Sequence, residues 1–137
     1  MSLFSSMTVT CPNCLDSQSV SGVGSVNADR RPDLREAILD DTFQVMTCEN
    51  CGGTFRLEPG FNYLEVGRGH WIAAMPGRQM PDFLEVEDRV TQSFAASYGD
   101  RALPAAQEIG KGLAPRVTFG WPAVREKLVI SGTGLDD

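Results

Sequence analysis

Apolar and polar residues alternate in short runs along the first half of the chain. Met7–Thr10 alternates as a half-buried strand does, and Val20–Val26 supplies a return strand that Gly22 and Gly24 weaken. Pro32 and Asp33 then open a short helix, because proline suits a first turn and an acidic residue favours its positive end. Leu34, Ala37 and Ile38 share one face of it. Period-two alternation returns over Phe43–Thr47 and Thr54–Glu58, which predicts a hairpin, and again over Phe61–Val66 and His70–Met75, joined at Gly67-Arg68-Gly69. These runs leave room for a sheet of about five or six strands.

From Pro81 the period changes. Phe83, Val86, Val90, Phe94 and Tyr98 step by three or four residues, which predicts one helical stripe ending near Gly99. Asp82, Glu85, Glu87 and Asp88 crowd its first two turns, where they favour the helix dipole on a solvated face. Residues 100–116 hold Pro104, Gly110, Gly112 and Pro115, so an irregular connection with about one helical turn is expected. Val117–Phe119 predicts a last strand and Pro122–Ile130 a last helix. The apolar Leu128, Val129 and Ile130 then need cover, by packing inward, by another subunit, or by further chain.

All four cysteines fall in two C-x-x-C pairs, Cys11-Pro12-Asn13-Cys14 and Cys48-Glu49-Asn50-Cys51, the second followed by Gly52 and Gly53. Two residues between cysteines let one tight turn present two thiolates to the same ion, and two such turns complete a closed tetrahedral site. Glycine after the second pair supplies left-handed backbone angles at no steric cost. The spacing therefore predicts one structural Zn²⁺ held by Cys11, Cys14, Cys48 and Cys51. The spacer of 33 residues, 15–47, exceeds the short zinc pattern, so something is inserted between the turns.

Three rival uses of the cysteines are weaker. A thioredoxin-like redox pair opens an amphipathic helix, whereas Cys14 is followed by a stretch rich in Ser and Gly. Two disulfides require an oxidising compartment. Catalytic zinc keeps an open position that four thiolates do not leave.

Composition changes this picture little. With 42% apolar and 22% charged residues, the 137-residue chain is globular and large enough for one modest core. The formal charge is −6, and four thiolates with one Zn²⁺ would make it −8, which repels phosphate backbones and anionic lipid. The closest basic grouping is Arg30, Arg31 and Arg35. The first seven residues lack a secretory pattern and no apolar run approaches the roughly 18 residues of a membrane helix, so a cytoplasmic location is expected.

Chemistry elsewhere is sparse. His70 is the single histidine, next to a glycine turn in a strand pattern, where a rim or sheet position is expected. The Asp40-Asp41 and Asp136-Asp137 pairs read as solvated or capping groups. Phe61, Tyr63, Trp71 and Trp121 could stack bases, though core packing is the commoner use of such residues.

With its two cysteine turns, Val26-Asn27 and the Pro32-Asp33-Leu34 helix between them, the chain resembles the CpXC family of bacterial and archaeal domains over roughly residues 8 to 100. That family is named for paired Cys-Pro-x-Cys turns, and the resemblance carries the metal role to Cys11, Cys14, Cys48 and Cys51. Two departures stand out. Glu49 occupies a proline position, and Leu15 follows the first pair where glycine is expected, which predicts a less well-formed first turn. The segment from Phe119 through Asp137 resembles the region leading into a further helix in longer relatives, which implies a chain shorter than the family's full length.

The expected fold is α+β, a zinc ribbon with a helical insertion fused to a small antiparallel sheet and flanked by helices. Residues 1–100 form the ribbon domain, and 101–137 supply a connection, strand and helix packed on the same domain. The expected function is binding or scaffolding of a protein partner without catalysis, with homo-oligomers allowed. The alternatives are a nucleic-acid-binding ribbon, disfavoured by charge, and then a redox enzyme using the C-x-x-C pairs.

Overall fold

The alternating runs pair as strands, several of them longer than the pattern implied. The computed structural model describes residues 2–132. Strands β1 (Leu3–Thr10) and β2 (Ser17–Asn27) form an antiparallel hairpin in which Met7 faces Val20 and Thr10 faces Ser17. Gly22 does not interrupt β2, because the Met7 side chain lies where a Cβ would stand. Helix α1 (Pro32–Leu39) begins on its proline and buries Leu34 and Ile38. Strands β3 (Val45–Thr47) and β4 (Thr54–Arg56) make a second hairpin that stays outside the main sheet.

Strands β5 (Phe61–Glu65) and β6 (His70–Met75) form the expected third hairpin. A 3₁₀ turn at Val66–Arg68 joins them and closes on Gly69, whose φ of 71° a side chain would strain. Two helices follow, α2 (Phe83–Tyr98) and α3 (Pro104–Lys111), before strand β7 (Ala114–Phe119) and helix α4 (Trp121–Gly132). The connection expected to be irregular thus contains a helix of two turns. Pro104 starts it, Ala105, Ala106 and Gln107 propagate it, and Gly112 ends it.

The expected antiparallel sheet is corrected to a mixed one. Its order is β1-β2-β5-β6-β7, with β2 parallel to β5 and β6 parallel to β7. Parallel neighbours need long crossovers, and the chain provides two of them. Residues 28–60 carry α1 and the β3–β4 hairpin, and residues 76–113 carry α2 and α3. The described residues are therefore α+β, with a five-stranded sheet, a two-stranded sheet and four α-helices.

Helices cover both faces of the sheet. On one face Val26, Phe61, Tyr63 and Ile72 pack with Ile38 of α1 and with Trp121, Val124 and Leu128 of α4. On the other, Trp71 and Ala73 meet Val86 and Val90 of α2. The α2 stripe is narrower than its spacing implied, since Phe83 is exposed and Phe94 and Tyr98 are half-buried. Leu128 is fully buried, so the apolar end of the chain packs inward there, while Val129 is exposed. The end of the tail, 133–137, with Asp136 and Asp137, lies outside the described residues.

Phe61, Tyr63, Trp71 and Trp121 are all buried, which leaves no open ring face for stacking bases. The indole N–H of Trp121 donates to the Leu57 carbonyl at 2.9 Å, and the Arg56 guanidinium lies 4.1 Å from its ring. His70 opens β6, half-buried, with its ring at 72° to that of Tyr63 and the centroids 6.4 Å apart. Among the described residues no helix is long and apolar enough to cross a membrane.

Emptying the core under α4 should be costly. Leu128→Ala is expected to lower stability by about 2–5 kcal/mol, read as a fall in the urea midpoint at unchanged slope. Val129→Ala, one residue away on the exposed side, should stay within about 0.5 kcal/mol.

Candidate metal centre

The two cysteine turns sit at the tips of two different hairpins. Cys11 and Cys14 lie in the turn between β1 and β2, and Cys48 and Cys51 in the turn between β3 and β4. Both turns close by the same pair of backbone hydrogen bonds. Cys11 N–H donates to the Asp16 carbonyl at 2.9 Å and Leu15 N–H to the Cys11 carbonyl at 2.9 Å. In the second turn Cys48 N–H donates to Gly53 at 2.8 Å and Gly52 N–H to Cys48 at 2.9 Å.

The residue after each pair takes left-handed angles, φ 64° at Leu15 and 73° at Gly52. Leu15 therefore does not deform the first turn as its identity implied. It adopts the glycine conformation and stays exposed, where nothing hinders its side chain. Glu49, in the proline position, leaves the second turn intact as well. Space is tight at Gly53, where a Cβ would lie 2.5 Å from the Asn13 amide of the opposite turn.

The turns bring all four sulfur atoms within 4.8 Å of one another. Cys11 Sγ lies 3.8 Å from Cys51 Sγ, and Cys14 Sγ 3.6 Å from Cys48 Sγ. A tetrahedron with metal–sulfur bonds of about 2.3 Å has edges of about 3.8 Å, so the spacing fits a thiophilic cation. A disulfide would need sulfurs about 2.05 Å apart. Neither pair opens a helix, as a thioredoxin-like motif would. Cys11 and Cys48 are buried, Cys14 is half-buried and Cys51 is exposed.

Hydrogen bonds to sulfur come from both turns and beyond them. The N–H groups of Asn13, Cys51 and Gly53 donate to Cys11, Cys48 and Cys51 at 3.4, 3.5 and 3.4 Å. Two side-chain amides add to these, Gln18 to Cys48 Sγ at 3.2 Å and Asn50 to Cys14 Sγ at 3.5 Å. Without metal, the Cys51 N–H outweighs desolvation and, with the Gln18 amide, brings the Cys48 thiol down to about 6. Cys51 accepts the Gly53 N–H, yet desolvation and the neighbouring thiols push it up to about 11. The two thiols are thus shifted in opposite directions, and a bound cation would favour the thiolate form of both.

Neither glutamine flanking the second turn stands out in the sequence. Gln18 lies on β2, and Gln44 sits in a left-handed turn before β3 with φ 61°. Alternation marks Gln18 as one more polar strand position, and only the approach of the second hairpin gives its amide a partner.

The arrangement defines an α+β protein with a four-cysteine cluster able to hold a metal ion. The chain belongs to the CpXC family, whose model, described as CpXC protein, matches residues 9–137. The match extends past residue 100, through β7 and α4. Neither the curated proteins nor the solved structures contain a match to the chain.

The strained Leu15 gives a direct test of the first turn. Left-handed angles cost a non-glycine residue about 1–2 kcal/mol, and glycine returns about 0.5–1 kcal/mol of that as unfolded-state entropy. Leu15→Gly should therefore raise stability by up to about 1 kcal/mol, seen as a higher denaturant midpoint of the metal-loaded protein.

Proposed function

We propose that the chain is a zinc-stabilised module that binds or scaffolds another protein, with one structural Zn²⁺ held by Cys11, Cys14, Cys48 and Cys51. The convergence of four sulfurs within 4.8 Å carries this reading. An all-sulfur tetrahedral set selects zinc or iron over harder cations. Two hairpin tips closing over one ion is the arrangement of a zinc ribbon, here with α1 inserted between its halves. Four thiolates leave no open coordination position, which supports a structural, non-catalytic role. A thiolate site also suits a reducing compartment, in keeping with a cytoplasmic protein.

Energetics support the structural role. Apparent binding free energies of structural zinc sites are about 10–16 kcal/mol in small peptides, comparable with the net stability of a domain. The β3–β4 hairpin has only three residues per strand and lies outside the main sheet, too little to be stable alone. A metal tying it to the β1–β2 tip would supply what its own packing lacks.

Binding of a partner is supported by an apolar patch at the start of α2. Met80, Phe83 and Leu84 are 54%, 42% and 69% exposed within five residues, beside the acidic Asp82 and Glu85. Larger contiguous apolar patches rimmed by polar residues mark interaction sites, and these three residues are candidates for part of one. With the chain at −6, a nucleic acid is the less suited partner.

Elemental analysis of the purified protein should give about one zinc per chain, with thiols unreactive until a chelator is added. A visible absorption band with iron in place of zinc would overturn the metal assignment. In titrations of labelled single- and double-stranded oligonucleotides at low salt, no binding is expected. Salt-sensitive micromolar affinity would put nucleic acid first.

A further inference from the structure

The β1–β2 hairpin leaves the main sheet early. β2 bonds to β5 only over Ser25–Asn27, so residues 17–23 pair with β1 on one side alone. Two glutamine side chains tie this stretch to the second cysteine turn and its approach. Gln44, which is buried, accepts the Val23 N–H at 3.0 Å and donates to the Ser21 carbonyl at 3.4 Å, so its amide stands in for a strand. Gln18, projecting from β2, donates its Nε2 to Cys48 Sγ at 3.2 Å and accepts the Glu49 N–H on its Oε1 at 3.4 Å.

Both bonds of Gln18 depend on one orientation of its amide. Reversed, it would set a carbonyl oxygen against the sulfur and an N–H against the Glu49 N–H. Cys48 is 1% exposed, so water cannot readily replace the lost donor, whereas Cys14, the acceptor of Asn50, is only half-buried. A four-thiolate site with a divalent cation carries two net negative charges, and donors to its buried sulfur offset the cost of burying them.

We infer that Gln18 is a positioning residue of the metal centre, holding the Cys48 thiolate and the second turn in ligating geometry from outside both cysteine turns. This rests on the reading of the four cysteines as a metal site. Groups that hydrogen-bond to metal ligands commonly contribute about 10- to 100-fold to affinity. Gln18 also connects the metal to the strand, so β2 and the second hairpin share one restraint. Asn50 makes a longer bond at an exposed position, to the half-buried Cys14, so its contribution should be the smaller of the two.

The full-length chain, stripped of metal, is titrated with Co²⁺ and then with Zn²⁺ in competition with a chromophoric chelator. For Gln18→Leu, both affinities should fall about 10- to 100-fold and the sulfur-to-cobalt charge-transfer band should move to lower energy, as the sulfur loses its donor. Gln18→Glu, nearly the same size, should weaken binding further by setting a carboxylate against the thiolate. Asn50→Ala, which removes a longer bond to the less buried Cys14, should weaken binding less than Gln18→Leu does. Unchanged affinity in both Gln18 variants, or weaker binding with an unmoved band, overturns the inference, the second result leaving Gln18 a merely structural role. Failure of the wild-type chain to take up one Co²⁺ would instead overturn the metal reading on which it rests.

Discussion

Four sulfur atoms from two hairpin tips, separated by 33 residues of intervening chain, must meet within 4.8 Å. Several local features of the fold serve that convergence. Each tip closes by the same two backbone hydrogen bonds and each turns on a left-handed residue, so two unlike sequences produce one geometry. Leucine in one of those positions shows how strongly the site dictates its backbone, since the chain accepts a steric cost rather than a different turn. Gln18 and Gln44 extend the restraint along β2 beyond Ser25–Asn27, where its pairing with β5 ends.

The rest of the molecule is built to deliver the two tips to one place. The crossover from β2 to β5 carries α1 and the β3–β4 hairpin, so the segment that makes parallel pairing geometrically possible also holds the second cysteine turn. Burial of Leu34 and Ile38 fixes α1 on the sheet, and Arg125 of α4 donates to the Leu39 carbonyl at its end. Arg56 on β4 lies over Trp121 of α4 and donates to the Phe43 carbonyl, tying the small hairpin to the main core. A cluster of Phe43, Phe61 and Trp121, with ring centres 5.4–6.2 Å apart, sits beneath this junction. The four-cysteine cluster and the aromatic core thus lie at the two ends of the β3–β4 hairpin.

Much of this was legible before any coordinates. The C-x-x-C spacing encodes a local geometry, two thiols on one turn, and such information survives without tertiary context. Proline at the start of α1 and the alternation of β5 and β6 are local in the same sense. Errors arose where local signals conflicted or where a partner lay far along the chain. Gly22 reads as a strand breaker until Met7 is seen to occupy the space its side chain would need. Pro104 and Gly112 read as loop residues, although they start and end a helix. Leu15 argues against a tight turn by propensity alone, and propensity yields to tertiary restraint.

The sequence by itself determined the pairing of the cysteines on two turns, the positions of most strands and helices, and the burial of Phe61, Tyr63, Trp71 and Trp121, because spacing, periodicity and apolar character act over a few residues. Only the tertiary structure decided the parallel pairings of β2 with β5 and of β6 with β7, the separation of β3 and β4 from the main sheet, and the contact of Gln18 with Cys48. Each of these is a choice of neighbour between segments distant along the chain. Nothing in the composition of a strand or the polarity of one glutamine specifies which neighbour will arrive. That is settled when the crossovers and the packed core fix the whole chain at once.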